Sequence, residues 1–436
     1  MHGDIVKLRS GSFGIDYAGT YIATRDNMLN LHSNPITEVL APTKSTTLSV
    51  AEAMARVASP HSNTSGTDPE VFVFAPDGEV IPAWEFLPDK ANALQTYRQG
   101  WPEAACPKVL AYWDGAQAEL TLTAGEACHA QLTDSIRFGL KTIYDAAQAY
   151  MPGSYLECRD VVKIPENVLM EAEDHHIALG CSPSANAYKT VKPIDIGDPR
   201  LHPVRYSGCH LHFRVREMPT HHKDSKLAWG TGTTYLPEWF PGGTIKMFDR
   251  VVGLLLTALG RDLEDPLRRK AYGRPGEYRQ TCPTGVEYRT PGAFVLCRPE
   301  VLNFALDMGR RAWGLGLLYN PETFFLPGAM DIIQHCDADA AWKRIEEFAP
   351  FFKAMFRGNN YSDEGTMEIL RKGLKAHGLV GTMKENWKLD KETESATDNT
   401  SWRTHNDGNR HDWRMLSLQA VKAIAVPQSA VMPQAA

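Results

Sequence analysis

Four short stretches of this 436-residue chain set acidic, imidazole and guanidinium side chains at alternating positions. In HLHFRV (210–215), a strand would send His210, His212 and Arg214 to one face and Leu211, Phe213 and Val215 to the other. In VEYRT (286–290), Glu287 and Arg289 oppose Val286 and Tyr288, and in AELTLT (118–123), Glu119, Thr121 and Thr123 oppose Leu120 and Leu122. Glu70 opens EVFVFA on the same face as Phe72 and Phe74. Joined in one antiparallel sheet with its apolar face on helices, these strands would gather three glutamates, two histidines and two arginines on the other face. Such a surface binds metal and phosphate. Magnesium takes carboxylate oxygens and waters and holds nucleotide phosphates, while arginine neutralises a phosphoryl group in flight by two-pronged contacts. A histidine among these oxygens suits magnesium or manganese, and equally suits a phosphate oxygen. On any one strand this alternation is an ordinary solvated face; the combination of four carries the reading.

The segment 268–290 adds Arg268, Arg269, Arg274, Arg279 and Arg289 around glycines, which permit close backbone approach to an anionic substrate or a γ-phosphate. Other polar residues read as structural. Asp77-Gly78 and Asp114-Gly115 are turn formers. His175, His176, His221 and His222 sit in polar surroundings as surface or loop residues, and Cys209 faces away from His210, which argues against a nucleophilic pair. Cys181 in GCSPSANAY is the other residue that could be proposed as a nucleophile.

The elements that must position these residues follow from periodicity. Asp-Gly turns between alternating runs predict hairpins at PEVFVFAP-DG-EVIPAW and VLAYW-DG-AQAELTLT. Helical spacing predicts helices over 48–58, 131–151, 244–260, 299–316, 337–357 and 362–377, the last stopped by Gly378. Strands and helices alternate without a βαβ rhythm, so the expected class is α+β with an antiparallel sheet and a helical C-terminal part. The domain reading is an N-terminal appendage at 1–60, a principal domain at 61–383 and a polar C-terminal tail at 384–436. With 43% hydrophobic and 22% charged residues the composition is that of a globular protein. A net charge of -6 excludes a broad basic surface for nucleic acid. The eight cysteines are scattered without a CxxC pair, as in a reducing cytosol. The N-terminal residues lack a signal peptide's apolar run, and the longest apolar stretch, 251–260, is too short to span a bilayer, so a cytoplasmic protein is expected.

The motifs GTDPEVFVF, WDGAQAELTLTA, GCSPSANAY, YSGCHLHFRV and YGRPGEYR followed by GVEYRTPGAFVL, in this order over 66–300, resemble the phage-type carboxylate-amine ligases (amidoligase type 2) of the glutamine synthetase and γ-glutamylcysteine synthetase superfamily. The resemblance implies a curved antiparallel sheet cradling ATP and two or more magnesium ions, with helices behind. It implies metal ligation by Glu70, Glu119, Glu287 and His210 or His212, with phosphate or transition-state contacts from Arg279 and Arg289. His212, Arg214, Arg274 and Arg279 are then the nucleotide-binding candidates, and Asp68 is one candidate among several for the base that deprotonates the amine. The reaction implied is phosphorylation of a carboxylate by ATP, then attack of an amine on the acyl phosphate. The acceptor could be a peptide, a cell-wall fragment, a protein side chain or a modified base, in a host cytoplasm if phage-encoded.

Three rival readings stand beside it. A guanidino-kinase-like phosphotransferase would release a phosphorylated product. A cupin-like metalloenzyme would use His210, His212 and Glu287 with iron or zinc. A non-catalytic virion or scaffold protein would have lost a metal glutamate, and none is missing. Oligomeric state and the identity of acid and amine are not encoded in any motif.

Overall fold

The computed structural model describes residues 63–93, 109–122, 129–177, 184–188, 198–215, 240–261, 263–282, 284–318, 328–356 and 382–391. The expected appendage at 1–60 with its helix at 48–58, the helix expected at 362–377, Cys181, His221 and His222 lie outside the described residues.

Among the described residues eleven strands run β1 (Asn63–Phe74), β2 (Val80–Ile81), β3 (Val109–Asp114), β4 (Gln117–Leu122), β5 (Tyr155–Glu157), β6 (Val161–Lys163), β7 (Ala185–Asn186), β8 (Val204–Tyr206), β9 (Cys209–Val215), β10 (Glu277–Cys282) and β11 (Gly285–Tyr288). Nine of them form one antiparallel sheet in the order β3-β4-β1-β9-β11-β10-β7, with β2 and β5 pairing β1. β1 is the spine. Its first residues pair with β9, Glu70 and Val71 pair with β4, and its last residues pair with β2 and β5. Both expected Asp-Gly hairpins form, at β1–β2 and β3–β4, with Asp77 Oδ1 accepting from the Glu79 amide at 3.0 Å.

Apart from Phe72 and Phe74, the large apolar side chains of the central strands point to one side. Val71, Val73, Leu120, Leu211, Phe213, Val286 and Tyr288 are buried there beneath helices α1 (His129–Tyr150), α3 (Gly242–Phe248), α4 (Leu254–Leu259) and α6 (Pro299–Leu318), where α2 is the short helix Glu166–Glu171 and α5 is Arg268–Ala271. Ile136, Leu140, Ile143 and Ala147 of α1 meet this face at helical spacing, as expected. A one-residue register slip would exchange these residues for glutamates and histidines, so the buried face fixes which side the polar residues occupy. On the polar side, Phe72 and Phe74 are covered by Val162, Ile164 and Leu169 from the β6–β8 ribbon and α2. The polar patch is thereby confined to the middle of the sheet.

The helix expected over 337–357 is two helices, α7 (Ala338–Glu347) and α8 (Ala349–Phe356). Packing continues beyond residue 384, where the polar tail is expected to begin. Thr382 and Glu385 form a capping box on α9 (Met383–Asn386), and Trp387 is fully buried with Nε1 donating to the Leu296 carbonyl at 2.6 Å. Arg137 of α1 donates to the carbonyls of Trp387 (3.0 Å) and Lys388 (2.7 Å). Among the described residues no helix is long and apolar enough to cross a membrane.

Candidate functional site

Ladder register builds the site as a row across the sheet. Tyr112 stands opposite Glu119, Glu119 opposite Glu70, Asp68 opposite His210, His212 opposite Glu287, and Glu287 opposite Arg279. A cleft of about 480 Å³ opens on this row, lined among others by Asp68, Glu70, Lys90, Glu119, Arg279 and Arg289. As strand alternation requires, His210 lines the cleft while Cys209 and Leu211 lie in the core.

At one end, Glu70, Asp114 and Glu119 bring oxygens within 4.8 Å of one another. Glu70 Oε2 accepts from the Gly208 amide (2.8 Å), and Glu119 Oε1 accepts from the hydroxyls of Tyr112 and Thr121. Burial, then the neighbouring Glu119 carboxylate, holds Glu70 well above the usual carboxylate range, with Arg289 acting against. Burial, then the charges of Asp68 and Asp114, pushes Glu119 up to about 8. Clustered buried carboxylates that resist ionisation are relieved by a cation, and an all-oxygen set suits magnesium. Asp114, read from the sequence as a turn former, ends β3 at the turn and also brings an oxygen to this group.

The second group is Asp68, His212 and Glu287, with His210 beside it. His212 Nε2 and His210 Nδ1 lie 2.9 Å and 3.1 Å from the same oxygen, Asp68 Oδ1, and His210 Nδ1 is 3.5 Å from Glu287 Oε1. Yet Asp68 Oδ1, His210 Nδ1 and His212 Nε2 are buried without a contact of hydrogen-bond geometry. Donor atoms converging at these distances, none aligned on another, are arranged around a point between them. With metal–ligand bonds of ~2.1 Å, adjacent donors of an octahedral ion lie ~3 Å apart, so the residues fit a cation. Burial works to raise Asp68, but the imidazoles of His212 and His210 hold it well below the usual carboxylate range. A carboxylate so depressed is a weak proton acceptor at neutral pH, which disfavours Asp68 as the base for the amine and favours it as an anchor. Burial lowers His210; it acts on His212 too, but there the Asp68 charge wins and the imidazole is raised.

The arginines separate into groups that reach the cleft and groups that do not. Arg289 is buried and its Nη1 donates to Glu287 Oε1 at 2.6 Å. Arg279 Nη1 lies 3.5 Å from Glu287 Oε2 with its side chain 35% exposed, so it faces both the glutamate and the cleft. Expected in a loop, Arg279 is on β10, opposite Glu287. Arg214 shares the polar face but is exposed and outside the cleft lining, because β9 runs on past the site. Arg274 is buried beside Glu277 (3.7 Å), and its carbonyl accepts from Thr290 Oγ1 at 3.0 Å, so it braces the wall and is not brought to the cleft. Arg268 is also structural, donating to the carbonyls of Ser207 (2.6 Å), Thr290 (2.8 Å) and Pro291 (2.9 Å). Gly208 has to be glycine, since a Cβ there would meet Arg268 Nη2 at 2.5 Å and His210 Nε2 at 3.1 Å.

Sequence reasoning did not find Tyr112, Tyr272, Lys90 or the role of Asp114. Tyr112 had a signal, since it shares a hairpin face with Glu119 across the β3–β4 turn. Tyr272, whose hydroxyl is 2.6 Å from His210 Nε2, lies 62 residues from its partner and had none. Neither a scan of protein-family models nor a search of curated proteins finds a match to this chain.

Proposed function

We propose that this protein is an ATP-dependent carboxylate-amine ligase with a glutamine-synthetase-like catalytic sheet, joining an acid and an amine through an acyl phosphate. The observation that carries the reading is the pair of metal-capable groups, Glu70–Asp114–Glu119 and Asp68–His212–Glu287, on one sheet face with Arg279 and Arg289 beside them. Two groups side by side with arginines match what phosphoryl transfer requires, namely neutralised phosphates and a fixed line of attack.

In the reaction, a carboxylate oxygen attacks the γ-phosphorus of ATP and ADP leaves; the amine nitrogen then attacks the carbonyl carbon, phosphate departs, and the amine gives up a proton. Magnesium bound at the two groups would neutralise phosphate charge and orient the transferring group. Glu70, Asp114 and Glu119 would hold one ion through oxygens alone. Asp68, Glu287 and the histidines would hold the second. Arg289, pinned by Glu287, and Arg279, with freedom toward solvent, would stabilise charge on the phosphoryl group and then on the acyl phosphate. The wall closed by Phe72, Phe74 and the β6–β8 ribbon keeps one side of the site dry, which protects an activated acid from hydrolysis. The test is incubation with ATP, magnesium and mixtures of amino acids with peptide or nucleobase acceptors, followed by mass spectrometry. A condensed product with equimolar ADP supports the reading; a stable phosphorylated product would mark a kinase instead.

The two imidazoles converging on Asp68 Oδ1 also favour a second reading, a transition-metal enzyme without nucleotide. Metal analysis of protein grown in rich medium separates the two, since tightly retained iron or zinc with no ATP turnover would favour the second.

A further inference from the structure

Tyr272 directly follows α5, and its ring is held by its neighbours. The Arg268 guanidinium, fixed by carbonyls of the β8–β9 and post-β11 turns, lies 4.9 Å from the Tyr272 ring centroid. Gly273 turns the chain with φ +64, and a Cβ at that position would come within 2.0 Å of Arg268 Nη1. The result is a hydroxyl delivered between the two metal-capable groups. It lies 2.6 Å from His210 Nε2, donates to Glu70 Oε1 at 3.1 Å and accepts from Arg289 Nη2 at 3.2 Å.

These contacts constrain protons. A phenol has one proton to give and two lone pairs. If the proton goes to Glu70, the oxygen accepts from Arg289 and from His210, so the neutral imidazole carries its hydrogen on Nε2. The lone pair is then on Nδ1, facing Asp68 Oδ1 at 3.1 Å and Glu287 Oε1 at 3.5 Å. The opposite tautomer would put a hydrogen on Nδ1, but the contact with Asp68 lacks hydrogen-bond geometry, and Glu70 Oε1 would lose the Tyr272 proton. The lone pair on Nδ1 is then turned toward the point on which the second group converges, where a cation would find it already presented.

We infer that Tyr272 is a positioning residue: its hydroxyl fixes His210 as the Nε2–H tautomer and so presents Nδ1 as a metal ligand, while the same hydroxyl ties Glu70 of the first group to Arg289 and Glu287 of the second. Hydrogen bonds of this kind from outside a ligand shell set ring orientation and basicity, and their loss typically weakens metal binding by ~10- to 100-fold. The inference rests on the metal-binding part of the reading above, but its first test does not.

That test is long-range ¹⁵N–¹H spectroscopy of the metal-free, histidine-labelled protein, with the His210 signals assigned by their absence in His210→Asn. The expected pattern is a protonated Nε2 and an unprotonated Nδ1, which Tyr272→Phe converts to the other tautomer or to a mixture. The second arm is Mn²⁺ binding by electron paramagnetic resonance, without nucleotide, where Tyr272→Phe should bind ~10- to 100-fold more weakly than the natural protein. A proton on Nδ1 in the natural protein overturns the inference and needs no variant, as does a folded Tyr272→Phe with unchanged tautomer. Should the tautomer behave as expected while the natural protein binds no Mn²⁺, the positioning role stands and the metal reading fails. If the natural protein binds Mn²⁺ and Tyr272→Phe binds it within about twofold as tightly, the ligand-presenting role fails alone.

Discussion

Glu70 and Glu119 face each other directly across the β1–β4 ladder, two buried carboxylates in one cross-strand pair. Like charges directly opposite destabilise a sheet, and here both groups are held above the usual carboxylate range, first by burial. The pair costs the fold stability unless something positive sits between.

The pH dependence of the metal-free protein follows from that strain. Because Glu119 binds its proton more tightly folded than unfolded, its contribution is fully present below the ordinary carboxylate value and is lost as pH climbs through about 8. One such group lowers stability by ~1.4 kcal/mol per pH unit across that window. Urea midpoints measured from pH 5 to pH 9 in chelator should therefore fall. Glu119→Gln should flatten the fall, and saturating Mg²⁺ should restore the natural protein but not the variant. Equal slopes for the two proteins would remove Glu119 as the source.

Arg279 and Arg289 should part company on substitution. Arg279→Lys keeps charge but loses planar geometry at a partly exposed position, so it should reduce ATP-dependent turnover ~30- to several-hundredfold with folding and ATP affinity nearly unchanged. Arg289 is buried on Glu287, and removing it leaves an uncompensated carboxylate, so Arg289→Met should also destabilise by ~3–5 kcal/mol. Calorimetry, turnover and denaturant melts on both variants read the three quantities separately; unchanged turnover in Arg279→Lys would take that residue out of the chemistry.

Gly208→Ala should destabilise by ~1–3 kcal/mol, since its Cβ would strike an Arg268 that four carbonyl contacts prevent from moving. A thermal melt indistinguishable from the natural protein would mean that the Arg268 anchor is softer than its contacts suggest.

Trp387→Ala should cost ~3–5 kcal/mol, because it empties a fully buried indole site and drops the bond to Leu296. Truncation after residue 381 should do at least as much damage. If a chain ending there melts like the full one, the packing of 382–391 adds nothing to stability.

Much of the site was legible because strand alternation is a strict rule. Once HLHFRV and VEYRT are strands with one apolar face buried, His210, His212, Glu287 and Arg289 have to share the other. What alternation cannot supply is which strands are neighbours, so the pairing of Asp68 with His210, and hence the depressed carboxylate, is invisible in the sequence, where Asp68 is one candidate base among several. Tyr272 was missed for the same reason, being brought in by a helical turn and a glycine that no strand pattern governs. Arg214 shows the converse limit, since sharing a face does not place a residue over the cleft. Trp387 and Leu389 are two apolar residues in a polar stretch, too few to register in composition yet buried and enough to anchor a segment.

The central claim is an acyl phosphate, and oxygen labelling tests it most directly. The acid identified by the product screen, enriched with ¹⁸O in its carboxylate, is turned over with unlabelled ATP, magnesium and the amine, and the released inorganic phosphate is weighed by mass spectrometry. If the carboxylate attacks the γ-phosphorus, one labelled oxygen crosses into each phosphate released for every amide formed. Phosphate without label, from a reaction that consumes ATP and forms the amide, would contradict the mechanism proposed for this site.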